Sequence, residues 1–204
     1  MVVSIALALS VAQPAPVDQS VVEQVILHPL YGSPYTCSEH WAGQLGFIGD
    51  ALGTDCLITE LVETEEGGAF SLTHRGDGGR NEDWFGYGAP VLAPFDGEIV
   101  RVLINPVENV PGQLGEPPAS MLVFRGDDGL MVLYAHISDP LVEQGDRVTA
   151  GQVVAAVGNN GYSRTPHIHV GAWRDRQPLQ IIWDLTAMAE VMAADPTDPA
   201  EPAP

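Results

Sequence analysis

Residues 130–173 read LMVLYAHISDPLVEQGDRVTAGQVVAAVGNNGYSRTPHIHVGAW, and this stretch decides the fold. Within it 130–136, 153–157 and 167–173 are β-branched or alternating apolar runs, the pattern of half-buried strands. Gly145-Asp146 and Gly158-Asn159-Asn160-Gly161 separate them with residues that favour turns. Working outward, 121–124 (MLVF) and 95–104 (FDGEIVRVLI) continue the series, bounded by Gly126-Asp127-Asp128-Gly129 and Asp96-Gly97. From Pro90 onward the expectation is therefore a mostly β, antiparallel sandwich or half-barrel. Only 181–194 (IIWDLTAMAEVMAA) has helical spacing, predicting one C-terminal helix. Residues 19–89 are less regular, and the acidic, Gly-rich 60–79 reads as an inserted hairpin or loop.

Composition limits function before any motif does. Twenty-seven Asp and Glu against eight Lys and Arg give 204 residues a formal net charge of −19. Nucleic acid is excluded as a partner on this ground, since phosphate binding needs clustered cations. All eight cations are Arg, so chemistry that needs a lysine amine, including lipoyl or biotinyl attachment, is absent. The 22 Gly and 17 Pro fit a turn-rich globular domain with enough apolar residues to form a core.

The ends differ from the middle. Residues 2–11 (VVSIALALSV) are an apolar run, with Ser10-Val11-Ala12 as a small-residue cleavage site, so 1–18 is expected to be a signal peptide and short linker. A run of ten is too short to span a bilayer, which takes roughly 20 apolar residues, so no membrane anchor is expected after processing. The acidic, Pro-rich 193–204 has no periodicity and is expected to be a disordered tail. The expected organisation is a signal segment 1–18, one domain 19–185 with an insertion at 61–85, and a helix end and tail at 186–204.

The histidines carry the chemical signal. His167 and His169 lie two apart in an expected strand and so project from one face, where two imidazoles can flank a single metal ion. His136 ends another expected strand and reaches the same patch if the strands pair. Taken alone, His-x-His reads more readily as two solvated strand histidines, since short motifs match by chance often.

The flanking residues distinguish the two. Tyr134-Ala135-His136, then Val142, Gly145-Asp146, Val148, Gly151-Gln152 and Val154, then Gly158-Asn159-Asn160-Gly161 and Pro166-His167-Ile168-His169 resemble, in order and spacing, the lysostaphin-like or LytM-type zinc endopeptidases of peptidoglycan. Gly88-Ala89-Pro90-Val91-Leu92-Ala93 with Asp96-Gly97 is similar to the start of the same family's sheet, the duplicated hybrid motif. The resemblance implies one Zn2+, with His169 a ligand and His136 and His167 the catalytic pair. It implies peptidoglycan peptide cross-links as substrate and an exported, periplasmic or extracellular location. It also leaves open a degenerate member that acts as a wall-binding or regulatory module.

The family's His-x-x-x-Asp ligand pair is missing here. Ser38-Glu39-His40-Trp41-Ala42-Gly43-Gln44 and Gly53-Thr54-Asp55-Cys56 resemble a subgroup in which His and Asp are farther apart, implying His40 and Asp55 as the other metal ligands. His74 with Asp77 or Asp83 is the competing pair, and His74 in a solvated turn is a third reading. Cys37 and Cys56 are the only cysteines, and an exported chain with an even count is expected to oxidise them. That bond would close a loop around His40 and Asp55 and contribute about 3 kcal/mol by chain entropy.

Overall fold

The computed structural model describes residues 22–41, 43–63 and 67–193. The expected signal segment 1–18 and the tail from 194 lie outside the described residues. Among the described residues there are 14 strands, one α-helix and a short 3-10 turn at Asn81–Asp83. The main sheet runs β1 (Gln24–Leu27), β14 (Gln177–Trp183), β13 (Ile168–Arg174), β9 (Met131–Ala135), β8 (Met121–Gly126), β7 (Gly97–Leu103) and β11 (Arg147–Val148). It is a curled half-barrel, antiparallel except for the β1–β14 pair, which is parallel.

Two strands share one edge of β13. Ile168, His169 and Val170 pair with Cys56, Asp55 and Thr54 of β3 (Thr54–Ile58), whereas Ala172, Trp173 and Arg174 pair with Leu179, Pro178 and Gln177 of β14. β2 (Tyr35–Glu39) extends the sheet beyond β3 and places Cys37 opposite Cys56, and the two are joined by a disulfide. A second sheet, β10 (Ile137–Ser138), β12 (Val153–Val157) and β6 (Pro90–Leu92), shares the core. β4 (Glu60–Glu63) and β5 (Ala69–Leu72) form a separate exposed hairpin.

Strand alternation sorts the side chains of the main sheet. Leu122, Phe124, Val132, Tyr134, Ile168 and Val170 are fully buried against Val91, Val154 and Ile137 of the second sheet. Truncating Leu122, Ile137 or Ile168 to alanine should cost about 2–5 kcal/mol. The alternate residues Met121, Val123, Met131, Leu133, Ala135, His169 and Trp173 face the other way and line a cleft. Gly171 belongs to that series and must lack a side chain. A Cβ there would sit 1.6 Å from the Gly49 carbonyl oxygen, because Gly49 lies directly on the sheet.

Two expectations are corrected. The helix α1 (Leu185–Ala193) starts four residues later than the pattern suggested. Ile181, Ile182 and Trp183 instead pair with Val25, Ile26 and Leu27 of β1, and Asp184 caps the helix by accepting hydrogen bonds from the Thr186 and Ala187 amides. The 19–89 region also holds more order than its sequence pattern suggested, since β1, β2 and β3 all lie there. No helix among the described residues is long and apolar enough to cross a membrane.

Candidate metal centre and active site

His169 stands on β13 directly between Asp55 on β3 and Ala135 on β9. The next residue, His136, has φ 66°, a left-handed conformation rare for side-chain-bearing residues, though histidine is among those enriched in it. This turn ends β9 and puts the His136 ring beside His167, with centroids 4.7 Å apart, and 6.4 Å from the His169 ring. Its Nδ1–H donates to the Asn160 carbonyl at 2.7 Å, so Asn160 in the Gly158–Gly161 turn fixes the ring. His167 Nδ1–H donates to the Thr165 carbonyl at 2.8 Å, leaving Nε2 turned toward Asp55 Oδ1 at 3.5 Å.

Asp55 is the centre of the group. Its Oδ1 lies 2.9 Å from His169 Nδ1 and its Oδ2 lies 3.2 Å from His40 Nε2. His40, Asp55 and His169 each offer one ligand atom, all within 4.8 Å of one another. The loop between His40 and Asp55 is held at both ends, by the disulfide and by the His40 amide donating to the Gly53 carbonyl at 2.8 Å. Gly53 leaves room for the His169 ring, since a Cβ there would lie 2.7 Å from Cε1.

One further residue, invisible to sequence reasoning, joins the group. His169 Nε2–H donates to Asp50 Oδ1 at 2.8 Å, which gives the ring a carboxylate on each nitrogen. Asp50 lies in a stretch without periodicity, 119 positions from its partner; only its nearness to His40 and Asp55 in the chain hints at it. His74 is placed elsewhere, in a bridge with Trp84 on the insertion and with its ring against the indole, and it does not join the His40, Asp55 and His169 group.

The electrostatics follow from these contacts. Burial disfavours the charged form of Asp55, but hydrogen bonds from His167 and His169 outweigh it and hold the carboxyl below the usual carboxylate range. Burial likewise opposes a proton on His169, yet hydrogen bonds to Asp50 and Asp55 raise it to about 9. His136 has no such partner. Burial, and then the charge of His167, push it down to about 3, so it is neutral near pH 7.

The donor set fits zinc. Two imidazole nitrogens and one carboxylate oxygen are ordinary ligands for that ion, and a three-residue set leaves a fourth position open. His40 Nδ1 is buried without a hydrogen-bond partner, while its Nε2 faces Asp55 Oδ2. The Asp50 contact on the far side of His169 is the outer partner expected of a metal-binding histidine.

Residues 83–181 match the model of Peptidase family M23, a span that includes His136, His167 and His169 and begins after His40 and Asp55. An uncharacterized metalloprotease of Haemophilus influenzae is 35% identical over 82 residues, 40% of this chain and 15% of that protein. The glycyl-glycine endopeptidase ALE-1 of Staphylococcus capitis is 33% identical over 104 residues, 50% of this chain and 26% of that one. The chain thus spans about a quarter or less of the length of these two relatives. The catalytic domain of the antimicrobial peptidase lysostaphin from Staphylococcus simulans is 23% identical with a TM-score of 0.44, covering 69% of this chain and 81% of that one.

Proposed function

We propose, from the premise that this chain carries a peptidase family M23 domain, that it is an exported zinc-dependent endopeptidase hydrolysing peptide cross-links of bacterial peptidoglycan. The observation that carries the proposal is the convergence of His40, Asp55 and His169, within 4.8 Å, beside the paired rings of His136 and His167. His40, Asp55 and His169 would hold one Zn2+. His74 is set aside because it stands outside this group.

Zinc held there would supply Lewis acidity toward the scissile carbonyl and activation of water at neutral pH. The remaining tasks fall to the chain itself. Neutral His136, with its Nδ1–H committed to Asn160, keeps Nε2 free to accept a hydrogen bond from the attacking water. His167, held by Thr165 through Nδ1, turns Nε2 into the cluster, where it faces the developing oxyanion. Asp50 fixes the tautomer of His169 by accepting its Nε2–H, which leaves Nδ1 for the ion.

The test uses purified peptidoglycan and the zinc-loaded chain. New amino and carboxyl termini should appear without new reducing sugar ends, and a chelator should stop their release. A folded, zinc-loaded chain that binds the wall but releases no termini from several wall types would replace this reading with the regulatory one.

A further inference from the structure

The candidate centre lies at one end of a cleft of about 960 Å³, and the charge on the walls of that cleft is unlike that of the rest of the protein. Of the eight arginines, Arg75, Arg80, Arg125, Arg147 and Arg174 are ion-paired with surface carboxylates. Of the three without an ion pair among the described residues, Arg101 and Arg164 both line the cleft. Apart from Asp50 and Asp55 at the centre, no acidic residue lines it, although the chain carries 27. Two unpaired cations thus face a groove whose floor is apolar, formed by Met121, Met131, Leu133 and Trp173.

From this distribution, and resting on the endopeptidase reading above, we infer that Arg101 and Arg164 form a carboxylate-binding subsite, and that the substrate is an anionic peptide with free carboxylates rather than an uncharged glycine bridge. The geometry supplies the spacing. Arg101 pairs with Val123, Val123 with Leu133, and Leu133 with Gly171, so it stands in the cleft row next to that of His169. It is three strands from β13, on the order of 14 Å at about 4.8 Å per strand. An extended peptide covers about 3.3–3.6 Å per residue, which puts a carboxylate on Arg101 roughly three to four residues from the bond attacked. Arg164 lines the same cleft from the turn three positions before His167, its carbonyl held by the Gly112 amide at 2.9 Å. A net charge of −19 repels anions at long range, so an anionic substrate needs such local cations.

The test measures binding separately from cleavage. A fluorescein-labelled peptide cross-link with D-alanine at the linkage and free carboxylates on both stems is compared with the same peptide carrying carboxamides. Anisotropy with the zinc-loaded, non-cleaving His136→Asn variant gives each affinity. The carboxylate form should bind about fivefold more tightly for each arginine engaged, the upper end for exposed ion pairs, and high salt should erase the difference. Arg101→Gln and Arg164→Gln should each shrink the preference, and Arg101→Lys should restore part of it. Equal affinity for the two peptides, or a preference intact in the double variant, would overturn the inference. Wild-type cleavage of both peptides with equal KM would also overturn it while leaving the endopeptidase standing. A preference present without any release of termini would support the subsite and sink the endopeptidase reading.

Discussion

The two halves of the candidate site are built by different means. His136, His167 and His169 sit on or beside adjacent strands of one continuous sheet, and their positions follow from strand period and register. His40, Asp50 and Asp55 come from a segment of 16 positions that meets the same sheet through the pairing of β3 and through Phe47 and Gly49, which lie against Trp173 and Gly171. The first half is held in place by a hydrophobic core, while the second depends on a covalent tie, the pairings of β3 and a few loop contacts. A site of this kind should fail in two stages, the loop half before the sheet half.

Metal content gives the largest expected effects. His169→Ala, Asp55→Ala and His40→Ala should each lose stoichiometric zinc, read by metal analysis of the purified chain. His136→Asn and His167→Ala should retain zinc and lose about 10²–10⁴-fold in rate, the usual range for acid–base groups. Zinc retained in full by Asp55→Ala would place the ion elsewhere and remove the division between the halves.

Next comes the covalent tie. The Cys37→Ser, Cys56→Ser double variant should lose about 3 kcal/mol of stability in denaturant titration, with weaker zinc binding and a largely intact β7–β8–β9–β13 sheet by hydrogen exchange. Uniform loss of protection across the sheet would show that the halves are one cooperative unit.

Asp50→Asn should lower zinc affinity by about 10–100-fold, the range for outer partners of metal-bound histidines. Competition with a chromophoric chelator measures it. An unchanged affinity would remove Asp50 from the group that shapes the site.

The smallest step is a pH effect in the metal-free chain. His136 is depressed to about 3 by burial and then by His167, so between its ordinary value of about 6.5 and that point the unfolded chain takes up a proton that the folded chain refuses. Its contribution therefore lowers stability as pH falls, by up to about 1.4 kcal/mol per pH unit in that window. His136→Asn, which tolerates the left-handed turn, should flatten the acid limb of urea midpoints against pH.

The same division governs what the sequence made legible. β8, β9, β12 and β13 were readable because alternation and glycine-rich turns are local signals, and the histidines inherit their faces from that alternation. The tail of β14 has the sequence pattern of a helix because Ile181, Ile182 and Trp183 form a short apolar run whose periodicity does not separate helix from strand. The disulfide was legible from count and compartment, with two cysteines and no competitors. Asp50 was not, because an aspartate in a loop carries no mark of a partner 119 positions away.

The pairing of Asp55 with His169 also sets an order of assembly. The two residues are 114 positions apart, so β3, which can pair at once with β2, cannot join the main sheet until β13 exists. During synthesis the segment bearing His40 and Asp55 leaves the ribosome long before its partner, and closing so long a span is an entropic cost met before any contact repays it. The His40, Asp55 and His169 group therefore cannot come together until residues 168–170 have been made.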